Sequence, residues 1–354
     1  MTRPAPYPLR GTTVLDVSRM LPGAITARML ADLGARVIKV EAPRVGDPMR
    51  FADPKVDGIG AAFAALYRGT ESVCLDLKRT GDAATLRSLA RDADVMLESF
   101  RPGTLEAWGV DPRELLKNHP GLTICSLSSF GLEDAGRVAH DINLVASSGL
   151  LSLLHGEGMP GVQVADVAAG LLATAAVLAS LLGRAESGRG GWIDQPLTTG
   201  CLPFLFMPRA EHEAGGGGMA DTLLAGACAA YRLYECADGQ RLSVGAIEPK
   251  FWTRLVQRLG LPELSGVGLD TGVAGRRASR KIEQVFAEQP REHWLALFEN
   301  QGLPVSPVAE LADAVQESRA GHFLPSFGGS SARHVPELGE HTAAILAEFG
   351  IETD

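Results

Sequence analysis

The chain has 354 residues, of which 45% are hydrophobic, 21% charged and 6% aromatic. That is a globular profile with enough chain for one large α/β unit or two domains, and it excludes a disordered polypeptide. The formal net charge of -9 argues against wrapping a nucleic-acid backbone, which needs clustered Lys and Arg, but leaves room for a small anionic ligand held by local cations or helix N-termini.

The first elements alternate. Thr13 to Val17 is a β-rich run, Pro22-Gly23 punctuates, Ala24 to Leu33 has helical spacing, Gly34 can cap it, and Ala35 to Glu41 is the next strand. Strands at Ser72 to Leu77, Val95 to Glu98 and Leu122 to Ser126, with a helix from Asp82 to Asp92, continue a βαβ pattern that predicts a mostly parallel sheet. The first strand-helix turn reads Asp-Val-Ser-Arg-Met-Leu-Pro-Gly, without the G-x-G-x-x-G of dinucleotide sites. The longest apolar run, Val167 to Leu182, is short for a membrane span, and the Met-Thr-Arg-Pro-Ala-Pro-Tyr start has no apolar signal region, so a cytoplasmic location is expected. Five scattered cysteines without C-x-x-C predict reduced, mostly buried thiols. Four glycines at 215–218 suggest a mobile loop near a domain change. Beyond them Tyr231 to Glu235 and Arg241 to Val244 form a hairpin, and helices are predicted at Pro249 to Leu259, Ser279 to Ala287 and Glu292 to Asn300.

The expected organisation is therefore a large α/β, parallel-sheet, Rossmann-like domain over 1–190, a linker over 191–225, a smaller α+β domain over 226–310 and a C-terminal segment, 311–354, returning to the large domain. No H-E-x-x-H, clustered Cys and His, G-x-S-x-G or Walker loop occurs, so no metal or cofactor is expected, and proton or acyl transfer by side chains is the chemistry left. Three polar residues stand in apolar surroundings. Asp166 suits either a helix N-terminus or a reacting carboxylate, His140 either a loop hydrogen bond or proton exchange, and Glu248, before Pro249, either a helix start or a supporting charge.

Several ordered blocks carry a resemblance: Gly11 to Gly23, Met29 to Glu41, Ser72-Val-Cys-Leu-Asp-Leu-Lys78, Glu98-Ser-Phe-Arg-Pro-Gly-Thr104, Ala139-His-Asp-Ile-Asn143, Tyr234-Glu-Cys-Ala-Asp-Gly239 and Leu338-Gly-Glu-His-Thr342. Together they resemble the family III CoA-transferases (CaiB/BaiF) across essentially the whole chain, with motifs like those of the α-methylacyl-CoA racemases. The resemblance implies an interlocked homodimer and acyl-CoA as substrate. It also implies Lys39, Arg68 and Arg101 as cations near the CoA phosphates, with Asp141 and Asn143 near the substrate. In transferases of the family the residue matched by Asp166 is a nucleophile that carries the acyl group. In the racemases it pairs with the residue matched by His140 to move a proton at the α-carbon, and Glu248 would support His140. These three residues and the chain length point to a racemase of 2-methylacyl-CoA thioesters; CoA transfer through Asp166 is the alternative, and an acyl-CoA binder without turnover the third. The sequence departs from the racemase pattern at Asp166-Val-Ala-Ala-Gly, where added methyl groups are expected to narrow the pocket, and at Leu144, Ala42 and Thr70.

Overall fold

The computed structural model describes residues 7–134, 136–154, 160–216, 222–317 and 334–351. The chain divides into two units, Met1–Leu205 with Gly321–Asp354, and Phe206–Ala320. The first contains β1 (Thr13–Asp16), α1 (Met20–Asp32), β2 (Arg36–Glu41), the two-residue strands β3 (Lys55–Val56) and β4 (Ile59–Gly60), α2 (Ala61–Tyr67), β5 (Glu71–Cys74), α3 (Thr80–Arg91), β6 (Val95–Glu98), α4 (Thr104–Ala107), α5 (Pro112–Asn118), β7 (Thr123–Ser128), α6 (Asp141–Ser147), α7 (Val164–Ser187) and β8 (Trp192–Pro196). Helix α8 (Leu202–Glu213) holds the division between the units.

Six strands form one parallel sheet in the order β5-β2-β1-β6-β7-β8. Its strands are apolar on both faces because both are covered. Val14, Val37, Val95 and Leu97 pack under α1, α2 and α7, while Leu15, Ile38, Val73 and Met96 face Leu86 and Leu89 of α3 and Leu115 of α5. The chain runs outward from β1 through β2 to β5, then returns to the other side of β1 as β6. The crevice beyond the carboxyl ends of β1 and β6 is thus the topological switch point, where open α/β sheets bind ligands.

Pro22-Gly23 punctuates nothing: α1 begins at Met20 and runs through both residues. Pro22 lies in the first turn, where its missing N–H costs no helical bond. A β-carbon at Gly23 would fall 1.8 Å from Ser18 Oγ, so only glycine lets the β1–α1 turn close. Likewise a β-carbon at Gly170 would lie 2.7 Å from the Pro22 carbonyl, and its absence lets α7 approach α1. Helix α7, 24 residues, is long and apolar enough to cross a membrane by length and composition, and its Ala169, Ala173 and Val177 are buried.

The expected linker at 191–225 is corrected at its start, since Trp192–Pro196 pair with β7 as the sixth strand. An edge strand tolerates the Asp, Gln and Pro that hide it from pattern reading. Residues 217–221, from the second half of the glycine run onward, and 318–333, within the expected returning segment, lie outside the described residues. Beyond them, α13 (Thr342–Glu348) packs on the β5 edge in the first unit, with Cys74 N–H donating to Thr342 Oγ1 at 3.0 Å and Gly339 N–H to Ser72 Oγ at 2.9 Å.

In the second unit, β9 (Tyr231–Glu235), β10 (Arg241–Gly245) and β11 (Val305–Pro307) form an antiparallel sheet in the order β11-β10-β9. Helices α9 (Pro249–Arg258), α10 (Val273–Phe286) and α11 (Arg291–Phe298) close its core around Tyr234, Trp252, Phe286 and Trp294, and α12 (Leu311–Glu317) follows. The smaller α+β domain was expected over 226–310, whereas this unit spans Phe206–Ala320, and α10 starts six residues before its predicted position. All five cysteines are free thiols.

Candidate active site

Two cavities open in the first unit at the carboxyl ends of the sheet. The larger, about 520 Å³, lies over β1, β2 and β5, and the smaller, about 210 Å³, lies over β6 and β7 and contains both His140 and Asp166. Arg19 and Phe100 line both cavities.

His140 is the N-cap of α6. Its N–H donates to Asn143 Oδ1 at 3.0 Å, so Asn143 fixes the backbone of His140 and is not a residue of either cavity. Asp166 is not the cap of α7, a place taken by Gln163, but stands three residues beyond it in the first turn. Asp141 ties the two helix starts together, its Oδ1 accepting the Asp166 N–H at 3.0 Å. The His140 and Asp166 side chains are delivered to one cavity by that backbone-to-side-chain bond. Burial pushes the Asp166 carboxyl up to about 6, with the neighbouring Asp141 adding and His140 opposing. A helix N-terminus favours the ionised form, so here desolvation and Asp141 outweigh it. Among the described residues no hydrogen-bond donor reaches the Asp166 carboxylate.

The expected phosphate cations fall in three different settings. Lys39 is 1% exposed; its Nζ lies 3.2 Å from Asp16 Oδ2 and 3.3 Å from Asp47 Oδ2, and donates to the Ser18 carbonyl at 2.6 Å. Its charge is consumed inside the wall of the larger cavity. Arg68 bonds the Ala65 carbonyl at the end of α2 and lines neither cavity. Arg101 is exposed and lines the smaller cavity. The cations exposed on the larger cavity are Arg19, Arg44, Lys78 and Arg79, which sequence reading passed over, beside the aromatic pair Phe100 and Trp108, 5.1 Å apart edge to face. A basic, partly aromatic crevice at a switch point suits the nucleotide end of a large anionic ligand.

Glu248 belongs to the second unit and is not a residue of either cavity. It is the N-cap of α9, its carbonyl accepting the N–H groups of Phe251 and Trp252 at 2.9 and 3.0 Å.

The departures after Asp166 are resolved differently from expectation. Ala168 and Ala169 are buried in the core and, with Val167, line neither cavity, so their methyl groups fill packing space and do not narrow the reaction cavity. Leu144 is fully buried beside Val145 and Leu150, and Thr70 donates to the Tyr67 carbonyl at 2.7 Å. Of the four departures only Ala42 lines a cavity, the larger one. Sequence reading also missed Met20, at φ 65° in the left-handed region, which lines the smaller cavity and whose N–H reaches Asp47 Oδ2 at 3.2 Å. No local motif signals that conformation in a non-glycine residue.

Comparison with known proteins gives concordant matches. The model of CoA-transferase family III matches residues 9–323. The chain is 32% identical to α-methylacyl-CoA racemase of Mus musculus, covering 98% of this chain and 94% of that one. It is 31% identical to succinyl-CoA:glutarate CoA-transferase of Mus musculus, covering 96% and 86%. Among solved structures, a CaiB/BaiF family protein from Brucella suis superposes with a TM-score of 0.81 at 28% identity, over 97% of this chain and 99% of that one.

Proposed function

The chain belongs to CoA-transferase family III, an enzyme family acting on acyl-CoA, and from that premise we propose that it racemises 2-methylacyl-CoA thioesters by two-base transfer of the α-proton. The observation that carries this is the shared cavity of His140 and Asp166, two proton-exchanging groups converging from the joined N-termini of α6 and α7. The thioester carbonyl acidifies the adjacent C–H. One base takes the α-proton, the C–H electron pair moves into an enolate whose charge rests on the thioester oxygen, and the protonated partner returns a proton to the opposite face. The enolate electrons close the new C–H bond, and solvent exchange resets the two groups. The positive end of the 24-residue α7 favours the enolate charge. Asp166 at about 6 is close enough to neutrality to serve as carboxylate in one direction and carboxylic acid in the other. CoA enters this reading through the larger cavity, and Glu248 and the homodimer rest on the resemblance alone.

A second reading, CoA transfer between carboxylic acids with Asp166 as acyl carrier, is favoured by the match to the glutarate transferase and by the Asp166 carboxylate having no donor bound to it among the described residues. One experiment separates them: NMR of a (2S)-2-methylacyl-CoA in deuterated water without acceptor acid. Loss of the α-proton signal together with optical purity is expected. No exchange, with CoA moving to a labelled carboxylate once supplied, would replace racemase by transferase.

A further inference from the structure

We propose that Glu98 is a positioning residue that sets the partition between the two cavities by holding the Phe100 segment in place. Glu98 ends β6 at the switch point and is 5% exposed. Its Oε2 accepts the Phe100 N–H at 2.8 Å. Ser126, the register partner of Glu98 on the neighbouring strand β7, accepts the Trp192 indole N–H at 2.8 Å, and its hydroxyl opposes the upward push of burial on the Glu98 carboxyl. Trp192, Ser126 and Glu98 thus form a polar row across three strands, β8, β7 and β6, and the Glu98 carboxylate ends it on the backbone of Phe100.

Phe100 is the residue that this carboxylate places. Its ring lines both cavities, meets Trp108 edge to face, and lies under the Arg19 guanidinium at 5.4 Å. Next to it, Ser99 Oγ accepts the Arg19 N–H at 2.8 Å and contacts the Arg19 carbonyl at 3.3 Å, stitching the loop after β6 to the loop after β1. Arg19 and Phe100 are therefore held as one wall by an acceptor beneath it and a hydroxyl beside it, with Arg101 next in the chain. A thioester lying across both cavities must pass this wall, so its placement governs how the acyl end meets His140 and Asp166. No cation pairs with Glu98 among the described residues; Glu106, Asp194 and Cys125 surround it, and burial holds its carboxyl up at about 7. A buried acid kept without a counter-charge costs stability, which fits a group retained for the geometry it imposes.

The inference rests on acyl-CoA as the ligand but not on racemisation, so it is tested by binding first. Isobutyryl-CoA is titrated calorimetrically into the wild-type full chain, Glu98→Ala, Glu98→Gln and Ser99→Ala, and the α-proton exchange rate of the same thioester is then measured. The amide oxygen of Gln can still accept the Phe100 N–H, so Glu98→Gln is expected within about twofold of wild type in affinity and rate. Glu98→Ala is expected to lose about tenfold in kcat/KM, carried mostly by KM, and Ser99→Ala about threefold. Wild-type binding and turnover in a folded Glu98→Ala overturns the proposal, as does a loss in Glu98→Gln equal to that in Glu98→Ala. If Glu98→Ala fails to fold, unchanged affinity in Ser99→Ala overturns it. Absence of α-proton exchange in the wild type would sink the racemase reading while leaving the binding contrast standing.

Discussion

Glu41 and Glu98 hold the same place on two strands of one sheet, each the last residue of its strand and each about 5% exposed or less, yet their carboxyls are pushed in opposite directions. Burial raises both. At Glu41 the guanidinium of Arg50, bonded to both oxygens at 3.0 and 2.6 Å, overrides burial and holds the carboxyl below its ordinary range. At Glu98, among the described residues, the Ser126 hydroxyl and one backbone N–H, which bonds the carboxylate, oppose burial, and burial wins. The contrast extends to the cavities: at the larger, Lys39 pairs with Asp16 and Asp47 and Arg50 with Glu41, whereas among the described residues no ion pair holds Asp166 in the smaller, and burial pushes its carboxyl up to about 6. Paired carboxylates build a rigid wall; carboxyls without a fixed counter-charge keep a proton available.

The largest effect is expected from removing the pairing. Arg50→Met should leave Glu41 buried without its partner and destabilise the chain by about 3–5 kcal/mol in chemical denaturation, against a minor loss for an exposed pair such as Lys117 with Glu114. Next, His140→Ala should slow α-proton exchange by about 10²- to 10³-fold while acyl-CoA affinity stays within about threefold, as rate and calorimetry together would show. An unchanged rate removes His140 from the mechanism.

Smaller effects follow from the raised carboxyls. A folded-state value above the unfolded one means that the native state holds the proton more tightly, so the stabilisation is complete below the unfolded value and disappears as pH rises through the folded one. For Asp166 that window runs from about 3.8 to about 6. Asp166→Asn should therefore melt higher than wild type at pH 7.5, by about 2 °C, with the difference gone near pH 4. Wild-type kcat/KM in the direction that uses Asp166 as base should rise through pH about 6. The window for Glu98 is 4.5 to about 7, and melting of Glu98→Gln should exceed wild type at pH 8.5 by a margin that shrinks toward pH 5. Margins independent of pH would contradict the assigned shifts.

Much of this was legible in the residues. Continuous apolar strands separated by helical spacing gave the parallel sheet, and the Ala-Asp-Gly turn gave the hairpin of β9 and β10. Strand β8 was hidden because an edge strand ending in Pro196 needs no apolar run, and α1 was shortened because Pro22-Gly23 reads as a break until Ser18 is seen against Gly23. At the site, His140 and Asp166 were marked by their polar intrusion into apolar sequence. What joins them is Asp141 Oδ1 on the Asp166 N–H, a bond between residues 25 apart that spacing does not reveal. The phosphate cations were the least legible: Lys39 has the right chemistry, but whether a lysine faces solvent or two buried carboxylates is decided by Asp16 and Asp47.

The central claim is two bases on opposite faces of one α-carbon, and the most direct measurement follows each enantiomer of a 2-methylacyl-CoA separately in deuterated water, with wild type, His140→Ala and Asp166→Asn. Wild type is expected to incorporate deuterium with inversion from either enantiomer, and each variant to abolish inversion from both. Continued inversion in either variant, or absence of exchange in wild type with hydroxylamine trapping an acyl group on Asp166, would contradict the account.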